Sequence, residues 1–195
     1  KPLRYYANPF YPLYSAGKAM FGSVKRTAQS VTPIGVHAKI PVTDVHRELI
    51  IMVVGETARA DRFSLNGYER KTNPLLEREQ VVSYTNFWSC GTSTSESVPC
   101  MFSQLGREQY TPAKAAASEN ALDVLARAGV NVLWRDNNST SKGVADRLPF
   151  VSYRTSDNNL SCDPECRDVG MLTQLKDHID SVKHGDVFVV LHQLG

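Results

Sequence analysis

Three short stretches of the chain are continuously apolar, and they predict buried parallel strands. They read ELIIMVV (48–54), VNVLW (130–134) and DVFVVLH (186–192). A strand that is covered on both faces carries an unbroken apolar run, whereas a half-buried strand alternates apolar and polar residues. A fourth stretch, VVSYTNFWS (81–89), is rich in β-branched and aromatic residues and is a further strand candidate.

Two stretches between these strands carry apolar residues at helical spacing. They are SENALDVLARAGV (118–130), with Gly129 as a C-terminal stop, and RDVGMLTQLKDHIDSVK (167–183). Strands that alternate with helices over short connections predict an α/β fold, with a mainly parallel sheet and helices on both faces. Functional residues of such sheets lie at the carboxyl ends of the strands. This rule points to residues 55–57, among them Glu56, to residues 135–138 and to His192.

The first 46 residues lack the regular pattern of the rest. KPLRYYANPFYPLYSAGKAM (1–20) mixes aromatic, proline and basic residues without a period, and the residues after it are typical of a linker. We therefore predict an arm and linker at 1–46 and an α/β domain at 47–195. The arm either packs irregularly on the domain or lies near a membrane surface, with its aromatic residues at the interface beside Lys1 and Arg4.

Composition and charge exclude some classes of protein. A chain of 195 residues with 42% hydrophobic content suits one α/β domain or most of a larger one. The net charge of +2, without a basic stripe between aromatic residues, argues against a nucleic-acid partner. The apolar runs are far too short to span a bilayer.

The four cysteines form two local pairs along the sequence, Cys90 with Cys100 and Cys162 with Cys166. An even number of cysteines at short spacing is typical of disulfides in an oxidising compartment, which means the periplasm or the outside of the cell. Free buried thiols and metal ligands are the alternatives. A zinc site is the weaker one, because neither pair has the two-residue spacing of zinc knuckles and no histidine lies near either.

The stretch SCGTSTSESVPC (89–100) concentrates hydroxyl side chains between two cysteines. Ser93 and Glu96 fit a capping box at the start of a helix, which would make Thr94 its first residue. A hydroxyl at a helix N-terminus can cap the helix or can face a bound phosphate. Thr94 becomes a nucleophile only if a base or a metal lowers its pKa, and Glu56 offers an oxygen ligand for such a metal.

Four motifs of the chain carry a specific resemblance: VVGETARADRFSLNGYERKTNP (53–74), SCGTSTSESVPCMFS (89–103), LWRDNNSTSKGV (133–144) and the pair CRDVGM (166–171) with LHQLG (191–195). Together they resemble the phosphoethanolamine transferases that modify lipid A, the family that includes the mobile colistin-resistance enzymes. The resemblance covers the whole chain. It implies the α/β fold of the alkaline phosphatase and sulfatase superfamily, and a location at the periplasmic face of the inner membrane of a Gram-negative bacterium.

The resemblance also implies roles for individual residues. Glu56 matches a zinc ligand, and Thr94 matches a nucleophile that also binds zinc. Asn138 and Lys142 match positions that contact the phosphoethanolamine group. The cysteine pairs Cys90–Cys100 and Cys162–Cys166 match family disulfides, of which the first would clamp the helix that carries Thr94.

The implied reaction has two displacements. Thr94 attacks phosphatidylethanolamine, diacylglycerol leaves, and lipid A or another envelope acceptor then takes phosphoethanolamine from the threonine, which gives polymyxin and colistin resistance. Membrane contact would come from N-terminal helices and the 1–46 arm, and we expect a monomer. A sulfatase or phosphatase of the same superfamily and a non-catalytic lipid-binding domain are the alternatives.

The chain also departs from the pattern of the family. The histidine and aspartate zinc ligands that the family supplies after LHQLG have no match here, and His192 precedes the functional histidine and is expected to be structural. The resemblance therefore implies an N-terminal portion of the catalytic domain, with an incomplete sheet. We expect residues 1–195 alone to be inactive.

Overall fold

Four parallel strands form one sheet in the computed structural model. They are β1 (Leu49–Val54), β2 (Asn131–Asp136), β3 (Phe150–Ser152) and β4 (Val187–His192). Their order across the sheet is β1-β4-β2-β3, and every neighbouring pair is parallel. The three strands predicted from continuous apolar runs are confirmed. His192 is paired with Val54 on one side and with Asp136 on the other, so the carboxyl ends of three strands lie level.

Helices cover both faces of the sheet, as the sequence predicts. The α-helices are α1 (Thr94–Phe102), α2 (Pro112–Ala116), α3 (Ala121–Arg127) and α4 (Leu175–Ser181), and 3-10 turns lie at Ala60–Arg62, Ser64–Asn66, Leu76–Arg78 and Asp168–Leu172. Side chains of β4 alternate between two apolar clusters. Val190 packs with α1 and α3, whereas Val187, Val189 and Leu191 pack with Met171 and Leu175 on the other face.

The helix predicted between residues 118 and 130 is confirmed as α3, and its ends have clear causes. Asn120 and Asp123 form a capping box, in which the Asn120 side chain accepts a bond from the Leu122 N–H at 2.9 Å. Gly129 has a φ of 99°, a left-handed conformation that glycine adopts without steric strain.

Three parts of the structure differ from the sequence prediction. Residues 81–89 form no strand, since within the described part of the chain they have no strand partner. The stretch predicted as one helix at 167–183 is divided at Gln174, which has a φ of 54° and separates a 3-10 turn from α4. β3 was not predicted, because three residues carry too little periodicity to stand out.

β1 is an edge strand among the described residues, and one of its faces is open. Ile51 and Val53 are 44% and 54% exposed, although their neighbours Met52 and Val54 belong to the core. The side chains of Phe87 and Trp88, just before α1, are also exposed, at 74% and 73%. Many apolar side chains in residues 49–53 and 81–88 are therefore exposed rather than buried in the core.

The structure describes residues 12–14, 16–17 and 30–195, and the chain divides into two units at residues 30 and 31. In the first unit, residues 12–14 and 16–17 are helical. In the second, Thr32 exchanges backbone bonds with residues 117 and 119. Much of the predicted arm, including Lys1 and Arg4, lies outside the described residues, and its membrane contact stays a prediction, as does its boundary at residue 46. The described helices include none that is long and apolar enough to cross a membrane.

Candidate active site

Three side chains from distant parts of the sequence meet at one carboxylate, that of Glu56. Glu56 follows the end of β1, Thr94 begins α1, and Asn138 lies two residues after β2. The Thr94 hydroxyl and the Asn138 amide each donate a hydrogen bond to Glu56 Oε2, both at 2.9 Å. The resemblance named all three residues, the strand-end rule named Glu56 and Asn138, and the structure brings the three together at the carboxyl edge of the sheet.

The other oxygen of the Glu56 carboxylate is held by the next residue along the chain. The Thr57 hydroxyl donates to Glu56 Oε1 at 2.7 Å. The hydrogen bonds from Thr57 and Thr94 lower the pKa of Glu56 below its ordinary value, because they stabilise the ionised form. Glu56 is therefore a carboxylate at neutral pH, suited to bind a cation and poorly suited to accept a proton.

Thr94 is the first residue of α1, as predicted, but the capping box around it does not form. Ser93 is the N-cap residue, but its side chain makes no capping bond to a backbone N–H of the helix. Its hydroxyl lies 3.2 Å from that of Ser95 instead, and the Glu96 side chain packs against Gly91. The predicted Ser93–Glu96 box is therefore wrong, because both side chains have other partners. Because no side chain caps the start of α1, the backbone N–H groups of its first turn and the positive end of its dipole can interact with an anion.

A disulfide fixes the loop that leads to Thr94. Cys90 is joined to Cys100, which is buried inside α1 beside Val98 and Phe102. The loop before the helix is thus tied to the helix itself. The structure also joins Cys162 to Cys166, and no free cysteine is present. Both predicted pairs are present, and neither is a metal site.

Lys142 is linked to the Glu56 cluster through one intervening hydroxyl. Its ammonium group contacts the Ser139 hydroxyl, which donates to Asn138 Oδ1 at 3.0 Å. Asn138 in turn spans from Glu56 to the backbone oxygen of Gln193, at 3.0 Å. In the part of the chain that the structure describes, no carboxylate pairs with Lys142. The site therefore presents a positive group that is available to a phosphate oxygen.

His192 and Asp136 form a buried polar pair at the carboxyl ends of β4 and β2. The His192 ring nitrogen Nδ1 is 2.7 Å from Asp136 Oδ2, and the Trp134 indole N–H donates to the same oxygen at 3.0 Å. Burial alone would raise the pKa of Asp136, but the bonds from His192 and Trp134 outweigh it and lower that pKa. The strand-end rule pointed to both residues, but nothing in the sequence predicted that His192 pairs with Asp136.

A second carboxylate holds the segment that follows β4. Asp168 Oδ1 accepts bonds from the Asn137 side chain at 2.9 Å and from the Leu194 N–H at 2.8 Å. The Asn137 amide also donates to the backbone oxygen of Cys166 at 2.9 Å. The second disulfide is thus connected, through Asn137 and Asp168, to the residues beside the cluster. Sequence reasoning gave no role to Asp168, since nothing in its local pattern marks it.

The donor set around Thr94 fits part of a zinc site. Glu56 and Thr94 supply two oxygen donors that lie 2.9 Å apart. A catalytic zinc usually takes three protein ligands and keeps one open position. Across residues 30–195 and the few earlier ones described, no group of three or more His, Cys, Asp or Glu side chains could hold a metal ion. These residues match two of the ligand positions and leave at least one to be filled.

Comparison with known proteins assigns the class. The family model described as Sulfatase matches residues 48–195, and the chain belongs to this family. The resemblance to the alkaline phosphatase and sulfatase superfamily is thereby confirmed.

The chain is also similar to proteins that are named as transferases. It is 48% identical over 208 residues to the Phosphatidylethanolamine transferase Mcr-1 of Escherichia coli, an alignment that covers 100% of this chain and 38% of the relative. It also resembles the solved integral membrane protein lipooligosaccharide phosphoethanolamine transferase A (EptA) from Neisseria meningitidis, with a TM-score of 0.83 and 35% identity, over 96% of this chain and 35% of that one.

The chain also resembles a periplasmic domain whose structure was solved by itself. The C-terminal periplasmic domain of the phosphoethanolamine transferase EptC from Campylobacter jejuni matches with a TM-score of 0.70 and 36% identity, over 85% of this chain and 49% of that one. The chain therefore spans 38% of the curated relative and about half of this solved domain.

Proposed function

We propose that this chain is part of an enzyme that transfers phosphoethanolamine from phosphatidylethanolamine to lipid A or another envelope acceptor. The observation that carries the proposal is the meeting of Thr94 with Glu56 and Asn138 at the start of α1. The names of the similar proteins, phosphatidylethanolamine transferase and phosphoethanolamine transferase, support this substrate class. Resistance to polymyxins, including colistin, would follow if lipid A is the acceptor.

The proposed chemistry begins at the Thr94 hydroxyl. Its oxygen attacks the phosphorus of phosphatidylethanolamine as its proton leaves, the bond from phosphorus to the diacylglycerol oxygen breaks, and diacylglycerol departs with a proton. In the second displacement an acceptor oxygen attacks the phosphorus, the bond to Thr94 breaks, and the threonine regains its proton. The covalent phosphoethanolamine-threonine is the intermediate between the two steps.

The surrounding groups have distinct tasks in this scheme. The open start of α1 and the Lys142 ammonium group stabilise negative charge on the phosphoryl oxygens. Asn138 orients Glu56, and because its two amide N–H groups already bind Glu56 Oε2 and the Gln193 backbone oxygen, contact with the phosphoryl group would require it to exchange one of these bonds. Glu56, with its lowered pKa, is a weak base and instead keeps a negative charge beside Thr94. A zinc ion held by Glu56 and Thr94 would lower the pKa of the threonine alcohol and withdraw charge from a phosphoryl oxygen.

The site is proposed to face the periplasm, at the outer surface of the inner membrane. The two disulfides support an oxidising compartment. The similar domain from Campylobacter jejuni is described as periplasmic, and the similar protein from Neisseria meningitidis is described as an integral membrane protein.

A chimera tests the function directly. Because the alignment with the Escherichia coli relative covers this whole chain, the chain can replace the matched region of that protein. We expect the chimera to add phosphoethanolamine to lipid A, detected by mass spectrometry of the lipid, with the unaltered relative as positive control. A covalent mass increase on the Thr94 peptide would identify the intermediate.

Two other outcomes would assign another function. Rapid hydrolysis of chromogenic phosphate or sulfate esters without transfer to lipid would identify a phosphatase or sulfatase. This alternative is consistent with the match to the Sulfatase family. Binding of lipid with no turnover and no mass increase on Thr94 would identify a non-catalytic domain.

A further inference from the structure

Thr57 has a backbone conformation that its residue type disfavours. Its φ is 49°, in the left-handed region. Glycine and asparagine adopt this region readily, whereas a β-branched side chain there is a true outlier, because its branched Cβ crowds the backbone. A turn after β1 could be made by glycine without this strain. The presence of threonine therefore needs a reason other than the turn.

The packing of the Thr57 side chain does not explain why threonine occupies this position, but the hydrogen bond of its hydroxyl does. The residue is exposed, so no apolar core selects it. Its hydroxyl makes the shortest of the three bonds to Glu56, at 2.7 Å to Oε1, while Thr94 and Asn138 bind Oε2. A carboxylate that is bound at one oxygen only can rotate about its last bond. With both oxygens bound, the Glu56 carboxylate has one orientation.

The backbone of Lys142 supports the same interpretation. Lys142 has a φ of 54°, and it joins Glu56 through Ser139 and Asn138. Two of the three described non-glycine residues with a left-handed backbone thus belong to the site or adjoin it. Strained backbone that gathers at one place is typical of functional sites, where the surrounding bonds maintain it.

We propose that Thr57 is a positioning residue, whose strained backbone and hydroxyl fix the orientation of the Glu56 carboxylate against the Thr94 hydroxyl. The inference rests on the proposed function, because it gives Thr57 a part in preparing the nucleophile. Thr57 itself does not touch the reacting atoms. Serine would supply the same hydroxyl, valine would keep the shape without it, and glycine would keep the turn without it.

The three variants separate this role from a merely structural one. In the chimera described above, Thr57→Val and Thr57→Gly are expected to lower kcat for transfer about 10- to 100-fold, as is usual for residues that orient a ligand, with little change in KM for the donor lipid. Thr57→Ser should retain most of the activity. Thr57→Gly should also unfold at or above the temperature of the parent chain, because glycine removes the strain.

The opposite movement of activity and stability in Thr57→Gly is the decisive readout, since a purely structural residue would lower both together. Thr155→Val is the matched control, because the Thr155 hydroxyl also donates to a carboxylate, Asp157 at 3.1 Å, without joining the cluster. Full kcat in Thr57→Val and Thr57→Gly, in a chimera that transfers phosphoethanolamine, would overturn the inference and leave the proposed function intact.

A structural measurement decides the inference if the unmodified chimera fails to transfer, which would contradict the proposed function. Crystal structures of the chain with and without Thr57→Val should show the three bonds to Glu56 in the parent and a carboxylate turned away from Thr94 in the variant. An unmoved Glu56 carboxylate in Thr57→Val would overturn the positioning role.

Discussion

Thr94 differs from the other hydroxyl residues of its loop by its neighbours rather than by its type. It alone donates to Glu56, whereas Ser93 and Ser95 face each other and Ser89 donates to the backbone of Gly91. A local sequence pattern cannot separate these hydroxyls, because the distinction depends on Glu56, which is 38 residues away. The resemblance made the distinction, and the structure gives its geometric basis.

Removal of the Thr94 hydroxyl tests whether this residue is the nucleophile. In the chimera, Thr94→Ala should lower transfer on the order of 10⁴-fold or more, because loss of a nucleophile removes the covalent route. Thr92→Ala and Ser95→Ala are matched controls in the same loop and should keep measurable transfer. Lipid mass spectrometry over time gives the rates. Undiminished transfer by Thr94→Ala would place the nucleophile elsewhere.

Asp136 links a buried charge to stability against acid. Its pKa is lowered in the folded chain, so the unfolded chain binds the proton more tightly. The stabilisation is therefore fully present above the unfolded pKa, about 3.9, and is lost as the pH falls through the folded value. Asp136→Asn should lower the free energy of unfolding at pH 7 by about 1–3 kcal/mol.

The difference between Asp136→Asn and the parent should shrink as the pH falls below about 4, where Asp136 of the unfolded parent binds a proton while that of the folded parent is still ionised. Urea unfolding followed by circular dichroism at several pH values measures it. Asp157→Asn, at an exposed site, serves as control and should change little. A difference that stays constant from pH 7 to acid would contradict a charged Asp136 in the folded chain.

At the scale of elements, the sequence predicts best where local and tertiary preferences agree. β2 and β4 are buried, and their apolar runs are continuous. Residues 81–89 have a similar composition but form no strand, because a strand needs a partner and no described segment supplies one. The break at Gln174 cannot be seen in the apolar spacing, because that spacing continues across the residue while its backbone φ is 54°.

The same limit applies to the site. Glu56 and Asn138 could be located because they follow predicted strands, whose ends share one edge of the sheet. The same rule covers Asp136 and Thr57, but their contacts could not be predicted, because those contacts depend on a side-chain direction and on a backbone angle. Their functional roles, like those of Thr94 and Lys142, stay predictions.

The cap of α3 gives a prediction for an element. Asn120 caps the first turn and also donates to the Val144 backbone oxygen at 2.8 Å, in a buried setting. Asn120→Ala should therefore lower the free energy of unfolding by about 2–3 kcal/mol, from the lost cap and the unsatisfied oxygen. Thr111→Ala removes the exposed cap of α2 and should cost about 0.5–1 kcal/mol. Urea unfolding compares the two, and equal losses would refute the contribution of Val144.

At the scale of the whole molecule, the described residues offer only two ligands to the proposed zinc ion. Glu56 and Thr94 are two oxygen donors, and tight zinc sites depend on more ligands, usually with nitrogen or sulfur among them. We expect the chain of 195 residues to show no sub-micromolar one-to-one zinc binding by titration calorimetry, and no transfer to a fluorescent lipid. Glu56→Gln is the control and should remove the weak binding that remains. Tight one-to-one binding with turnover would show that the metal site lies elsewhere.

The outer edge of β1 has a consequence for how this chain behaves in solution. An exposed apolar strand with unpaired backbone groups is a template for another strand, and hence for aggregation. We expect the chain to self-associate as its concentration rises, measured by light scattering. Ile51→Lys should suppress this association, because it places a charge on the open face of β1, whereas Val45→Lys, outside the strand, should not. Concentration-independent scattering by the parent chain would contradict the expectation. The solubility of this chain thus depends on one strand whose outer edge has no partner strand among the described residues.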